Sequence, residues 1–233
     1  MNKKILIFTA TYNEAENIRE FIEKILKLNI KLDLLIIDDN SPDNTWKIVN
    51  EYKKENENII LVKRESKEGL DTAHKLAFNY AKDHNYDYLI TLDADLSHDP
   101  EKIPDFLDEL KNNPFLIGSR YVKDGKNEMK LKRYILSSVG NKIIKFILGI
   151  NSDEFTSGYR GFNLEMLGNF DMNKVSSKGY SFFMETVYLI SAAGHNIKQI
   201  PIRFKDREKG ISKIPKIETF RTLKNLFLLK IKK

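Results

Sequence analysis

The chain has 233 residues, 41% of them apolar and 31% charged, and it has no cysteine. This composition suits one globular core and excludes fibrous and disordered classes; the lack of cysteine excludes disulfides, thiolate metal sites and cysteine nucleophiles. The net charge of +6 is local: twelve basic residues against three acidic ones fall between Lys198 and Lys233, and Lys130, Lys132, Arg133, Lys142 and Lys145 form a second basic stretch with no acid between its ends, so anions are expected at particular places.

Residues 5–9 form a continuous apolar run that predicts a buried strand, and residues 15–28 carry Ile18, Phe21, Ile22, Ile25 and Leu26 at helical spacing. Strands are predicted again at 34–37, 59–62, 88–92 and 115–118, separated by helical patterns at 45–54, 71–83 and 100–110. Such alternation predicts a mostly parallel α/β sheet covered by helices on both faces. Functional groups in these sheets gather beyond the carboxyl ends of the strands. After about Tyr121 the alternation stops. Leu131–Leu148 predicts a long basic amphipathic helix, 156–161 a polar loop, 182–193 a helix capped by Gly194, 197–204 a strand, 205–213 a loop, and the remainder to Lys233 a final amphipathic helix. No repeat or low-complexity linker divides the chain, so 1–233 is expected to be a single domain, with a nucleotide-binding half over 1–120 and an acceptor- and membrane-facing half over 121–233.

Glu14 and Glu16 interrupt the N-terminal apolar run before a signal-peptide core is complete. The longest uncharged stretch, residues 186–197, is well short of the ~20 residues that cross a bilayer. A cytoplasmic protein, peripheral on the cytoplasmic face of a membrane, is the expectation.

Three polar clusters follow predicted strands directly: Thr11-Tyr12-Asn13-Glu14, Asp38-Asp39-Asn40-Ser41 and Asp93-Ala94-Asp95. In extended backbone the i and i+2 side chains share a face, so Asp93 and Asp95 are able to address one hard cation such as Mg²⁺ or Mn²⁺. The competing reading makes one aspartate a turn cap and leaves the other solvated. Asp39 is placed to accept bonds from a ribose or a base edge, whereas Ser41, Asp43 and Asn44 suit the start of the next helix. Tyr12 is suited to stacking on a base and Glu14 to bonding it, although Asn13 and Glu14 equally suit a helix start. No Gly-x-Gly-x-x-Gly follows the first strand and no phosphate-binding Gly-x-x-x-x-Gly-Lys-Ser/Thr occurs, which disfavours dehydrogenases and P-loop enzymes. The four histidines form no zinc-ligand pair, and His98 is expected to support the acidic cluster or cap a turn.

These motifs, together with Gly69-Leu70, Leu96-Ser97-His98-Asp99-Pro100, Gly118-Ser119-Arg120-Tyr121, Thr156-Ser157-Gly158-Tyr159-Arg160 and Arg207…Gly210-Ile211-Ser212-Lys213, stand in the order seen in dolichol-phosphate mannosyltransferases. The chain resembles that branch of the family 2 glycosyltransferases over nearly its whole length. The resemblance implies a GT-A (Rossmann-like) fold and inverting transfer of mannose from GDP-mannose to a polyprenyl (dolichyl) phosphate, with Mg²⁺ or Mn²⁺. It implies that Ala10, Tyr12, Glu14, Ile37, Asp39, Asp93, Ala94 and Asp95 meet the nucleotide sugar. Asp93, Asp95 and Ser97 would hold the metal. Arg120, Arg207 and Lys213 would face donor phosphates, and Arg120, Arg133 and Ser137 the acceptor phosphate, so that Asp95, Arg120 and Arg133 are the catalytic candidates. Two departures stand out: Ala10 where proline is usual, and Asp71 where glycine is common, the latter adding a carboxylate near the expected site.

On this reading the cations stabilise a departing diphosphate. The acceptor phosphate is already anionic and needs positioning, so no dedicated base is expected. In the last segment, Ile217, Phe220, Leu223, Phe227 and Ile231 repeat at helical spacing among lysines, which suits either core packing or, with Leu131–Leu148, docking on an anionic membrane surface. A separate membrane-protein partner is compatible with this arrangement. Alternatives are transfer of glucose or N-acetylglucosamine to a polyprenyl phosphate or a glycan, and a catalytically silent sugar-nucleotide binder. A nucleic-acid-binding module is disfavoured, because aromatics do not interleave with the basic patches.

Overall fold

The computed structural model describes residues 3–206 and 218–231. β1 (Ile5–Thr11) leads into α1 (Ile18–Leu26), β2 (Asp33–Asp38) into α2 (Thr45–Glu55), β3 (Ile59–Lys63) into α3 (Leu70–Asp83), and β4 (Tyr88–Thr91) into a 3-10 turn and α4 (Ile103–Glu109). There follow β5 (Phe115–Ser119), β6 (Lys126–Asn127), α5 (Leu131–Leu148), β7 (Arg160–Asn163), α6 (Leu164–Leu167), α7 (Tyr180–Ala192), β8 (Ile197–Pro201), β9 (Arg203–Phe204) and α8 (Glu218–Ile231). The central sheet has the order β3-β2-β1-β4-β7-β5-β8, and β6 pairs with β9 in a separate ribbon. Every pairing in the central sheet is parallel except those of β7, which runs antiparallel to both β4 and β5.

Side-chain alternation along the strands sorts the core into two layers. Leu6, Phe8, Leu35 and Ile37 point to the face covered by α3, α5, α7 and α8, whereas Ile7, Leu34 and Ile36 point to the face covered by α1 and α4. Both faces are dry at the centre: Phe8, Phe21, Phe106, Phe115 and Phe162 are all buried. The strands therefore read as unbroken apolar runs.

β6 and α6 are elements the sequence reading lacks, and three others differ from expectation. The polar loop expected at 156–161 passes, at Arg160, into a strand at the middle of the sheet. Arg160-Gly161-Phe162-Asn163 has no apolar run to announce it, and Gly161 lets Phe106, Leu110 and Leu116 close to within 3.2–3.3 Å of where a Cβ would stand. The single strand expected at 197–204 is two, because the chain changes partner at Ile202: its N still donates to Ser119 O at the end of β5, whereas its O accepts from Lys126 N of β6. The helix expected from residue 15 begins at Ile18, since the Glu14 carbonyl accepts from the amides of Asn17 and Ile18 and holds a turn first.

Candidate active site

Parallel register brings the three polar clusters to one edge. Thr11 pairs with Asp38 across β1 and β2, Asp39 N donates to Thr11 O, and Leu92 N donates to Phe8 O, so residues 12–14, 38–41 and 93–95 emerge side by side. Their carboxylates then take different roles. Asp38 is wholly buried and serves the turn, accepting from Thr11 Oγ1 (2.8 Å), Ser41 Oγ (2.6 Å) and Ser41 N (2.8 Å). Asp39, 7% exposed, stands 2.9 Å from Arg64 Nε and accepts from Gly69 N at 3.0 Å. Burial pushes its carboxyl above the ordinary value, against the opposing pull of the Gly69 amide and Arg64. Ala10 lies at the same edge, opposite Ile37, whose side chain is buried in the core. Lys67 Nζ lies 3.9 Å from the centroid of the Tyr12 ring. Glu14 is 6% exposed and its carboxylate accepts from Asn17 Nδ2 at 2.8 Å, so it shares in the helix start.

The segment after β4 is a tight turn. Leu96 adopts φ 61°, unusual for a branched residue, and Ser97 N donates to Asp95 Oδ1 at 3.0 Å. Ala94 and Ser97 are buried, whereas the Asp93 side chain is 43% exposed. His98 is buried beneath this turn against Tyr159 and Phe204, and burial lowers its pKa to about 4. Its Nδ1 accepts the Asp93 amide at 3.4 Å, so the neutral ring carries its proton on Nε2. The 3.6 Å approach of Nδ1 to Asp93 Oδ2 is accordingly a contact with a neutral ring, not an ion pair.

The donor set fits a hard divalent cation: two carboxylates and a hydroxyl on one turn, all oxygen. Among the described residues no three His, Cys, Asp or Glu side chains cluster closely enough to enclose an ion. Phosphate oxygens of a ligand would have to complete the shell, as is usual for Mg²⁺ sites.

Arg120 follows β5, with its side chain 9% exposed and Nε 3.1 Å from Oε2 of the wholly buried Glu154. Its guanidinium lies 4.5 Å from the Phe204 ring centroid and 5.2 Å from that of Tyr121. It lines a cavity of about 310 Å³ with Gly125, Asn127, Met129, Leu131 and Tyr134. Arg133 and Ser137 sit on α5 beside this region: Arg133 is 2.6 Å from Asp206, and Ser137 Oγ accepts from Tyr121 OH at 2.7 Å. Arg207 and Lys213 lie outside the described residues.

Four residues at the site carried little signal in the sequence reading. Arg64, one step beyond the Asp38–Lys63 pair of β2 and β3, comes beside Asp39. Glu154 had no signal beyond its polar loop. Asp71, noted only as a departure, is buried and accepts from Gly179 N at 3.1 Å, which ties α3 to the start of α7. Arg160 is wholly buried and donates to the carbonyls of Ser157 (2.8 Å), Phe155 (2.9 Å) and Phe183 (2.9 Å). Burial lowers its pKa to about 9, which leaves it cationic at neutral pH.

Residues 6–170 match the glycosyl transferase family 2 model. An undecaprenyl-phosphate mannosyltransferase of Micrococcus luteus is 32% identical over 212 residues, covering 91% of this chain and 87% of its own. A polyprenol monophosphomannose synthase of Mycolicibacterium smegmatis is 33% identical over 91% of this chain and 81% of its own. A dolichol-phosphate mannosyltransferase of Pyrococcus furiosus is 30% identical over 97% of this chain, which spans only 63% of that longer protein. Among solved structures, the mannosyltransferase PcManGT from Pyrobaculum calidifontis, in complex with GDP-Man and Mn²⁺, shares the fold at a TM-score of 0.61 and 16% identity. That match covers 100% of this chain and 65% of that one. The chain belongs to glycosyl transferase family 2.

Proposed function

We propose that the chain transfers mannose from GDP-mannose to a polyprenyl monophosphate, with inversion at the sugar carbon, on the cytoplasmic face of a membrane. The observation that carries this reading is one edge holding both the Asp93/Asp95 turn and the Arg120 cavity, in a chain 32–33% identical to polyprenyl-phosphate mannosyltransferases. Asp93, Asp95 and Ser97 would hold Mg²⁺ or Mn²⁺, which when bound neutralises charge on the donor diphosphate. Asp39, steadied by Arg64 and Gly69, receives the nucleoside. An oxygen of the lipid phosphate forms the new bond to the anomeric carbon as the bond to GDP breaks, and GDP leaves with the electron pair. The attacking oxygen carries no proton at neutral pH, so the reaction asks for orientation and charge balance, supplied by Arg120 and Arg133, and not for a base. The neutral, buried His98 agrees with that, since it holds the Asp93 amide and is not placed to take a proton.

The lipid side of the reading draws on α5 and α8. Leu131, Ile135, Leu136, Val139, Ile143 and Phe146 on α5, with Phe227, Leu228 and Ile231 on α8, are exposed large apolar residues, and Phe146 is 87% exposed. Most of the exposed large apolar side chains among the described residues are therefore on two helices that pack on each other, amid Lys132, Lys142, Lys224 and Lys230. That pattern suits an anionic leaflet, with apolar side chains in the headgroup boundary and lysines at the surface. None of the described helices is long and apolar enough to cross a membrane. Incubation with GDP-mannose, UDP-glucose and UDP-N-acetylglucosamine plus a polyprenyl phosphate tests the reaction: a mannolipid from GDP-mannose is expected, and the absence of any lipid product refutes it. Co-flotation with phosphatidylglycerol vesicles tests the surface, with loss expected in Phe146→Ser/Phe227→Ser.

A further inference from the structure

We infer that Glu154 is a positioning residue for the acceptor: it fixes Arg120 in the orientation that receives an anionic phosphate headgroup. The inference rests on the reading of Arg120 as the phosphate-facing cation. Glu154 is wholly buried: Oε1 accepts from Thr156 N (3.0 Å), Thr156 Oγ1 (2.8 Å) and Ser157 N (3.2 Å), and Oε2 forms an ion pair with Arg120, 3.1 Å from its Nε. These contacts commit the carboxylate to the turn and to Arg120.

The same contacts define Arg120. Nε stands beside the Glu154 carboxylate in an ion pair, and the guanidinium lies against the Phe204 and Tyr121 rings. The terminal Nη groups are therefore what it presents to the 310 Å³ cavity shared with Asn127, Leu131 and Tyr134. A planar guanidinium held by one edge offers the other in fixed geometry, the arrangement that favours phosphate over a spherical anion. Leu131 and Tyr134 also begin α5, so the cavity lies where the sheet edge meets the apolar helix face.

Glu154 links this cation to the donor side as well. The turn it organises runs on to Gly158, where a Cβ would come within 2.9 Å of Asp93 Oδ1, and Thr91 Oγ1 donates to Gly158 O at 2.7 Å. Arg160 secures the turn from within by bonding the Phe155 and Ser157 carbonyls. One short turn, tied by the bonds of Glu154 Oε1 and Arg160, thus sets the distance between the acceptor cation and the first aspartate of Asp93-Ala94-Asp95.

Glu154→Gln tests this, because it keeps an acceptor for Thr156 and Ser157 and replaces the oxygen facing Arg120 with an amino group. At saturating GDP-mannose, KM for polyprenyl phosphate is expected to rise about tenfold while KM for GDP-mannose stays near that of the parent. Arg120→Met should give a similar rise, and the double variant no more than the larger single effect. An unchanged lipid KM in Glu154→Gln, a loss confined to kcat, or additivity with Arg120→Met overturns the inference. If Glu154→Gln fails to fold, the double variant, which removes both buried charges, is read instead. A lipid KM no higher than that of Arg120→Met alone supports the coupling, and a further rise refutes it. A parent chain that forms no lipid product at all overturns the functional reading, and with it the ligand assigned to this cavity.

Discussion

Acidification should unfold this protein through its buried histidines, and His74 is the cleanest place to test it. His74 projects from α3 into the core, 5.0 Å from the ring centroids of both Phe8 and Phe183 and 5.6 Å from that of Phe182. Burial, aided by Arg160, lowers its pKa to about 3. The folded form therefore stays neutral down to about pH 3, whereas the unfolded chain takes up a proton below about pH 6.5. Between those values the unfolded state binds more protons, so stability falls as pH falls, by about 1.4 kcal/mol per unit, and levels off below pH 3. At pH 5 the loss from His74 is about 2 kcal/mol, and His98, whose pKa is about 4, adds a similar amount. Together that is a sizeable part of the 5–15 kcal/mol typical of a domain. Urea midpoints at pH 7 and pH 5, compared between the parent and His74→Leu, give the answer. His74→Leu should retain only about half of the acid-induced loss. If it loses as much as the parent, His74 is not the neutral, desolvated group described and the reasoning fails.

Three further outcomes follow from the site. Asp95→Ala should abolish the part of GDP-mannose affinity that depends on Mg²⁺ or Mn²⁺, measured by calorimetry with and without chelator; retained metal dependence would place the ion elsewhere. Gly158→Ala should lower kcat/KM by displacing the Asp93 carboxylate, whose Oδ1 would lie 2.9 Å from the new Cβ, with a smaller effect on thermal stability; an unchanged kcat/KM would mean that Asp93 has freedom to move. Asp71→Gly should cost about 1–3 kcal/mol in a denaturant titration, because the Gly179 amide loses its buried acceptor; a neutral result would mean that water replaces the carboxylate.

How much of this was legible in the sequence depends on where the physics was local. β1, β2, β4 and β5 announce themselves because a strand buried on both faces must be apolar throughout, and Asp93-Ala94-Asp95 follows one of them directly; β3, at the sheet edge and only half-buried, is apolar too. β7 does not, because its burial is achieved by an arginine bonded to three carbonyls and a glycine that makes room for its neighbours, neither of which resembles a strand residue. The final helix was legible in part. Phe227 and Ile231, on the apolar stripe read from spacing, are exposed, and the side chains that pack inward are Leu226 and Leu229, one residue before and two residues after Phe227. A period argument finds a stripe but does not decide which of two apolar stripes meets the core.

Charge was the least legible quantity, for a physical reason. Convergent acids at a sheet edge invite an assignment to ligands, yet Asp38 is consumed by the turn after β2, and Asp39 is shared between Arg64 and the Gly69 amide. Basic residues follow the same rule: Arg120 is paired with a buried glutamate and Arg133 with Asp206. Buried charges need partners, and those partners come from distant parts of the chain: Glu154 is thirty-four residues from Arg120, and Arg64 is twenty-five from Asp39. What a ligand meets is the part of each charged group left after the protein has used the rest. For Asp39 and Arg120 that remainder is fixed by Arg64 and Glu154, so substitutions at these two supporting residues should alter ligand affinity without touching the ligand.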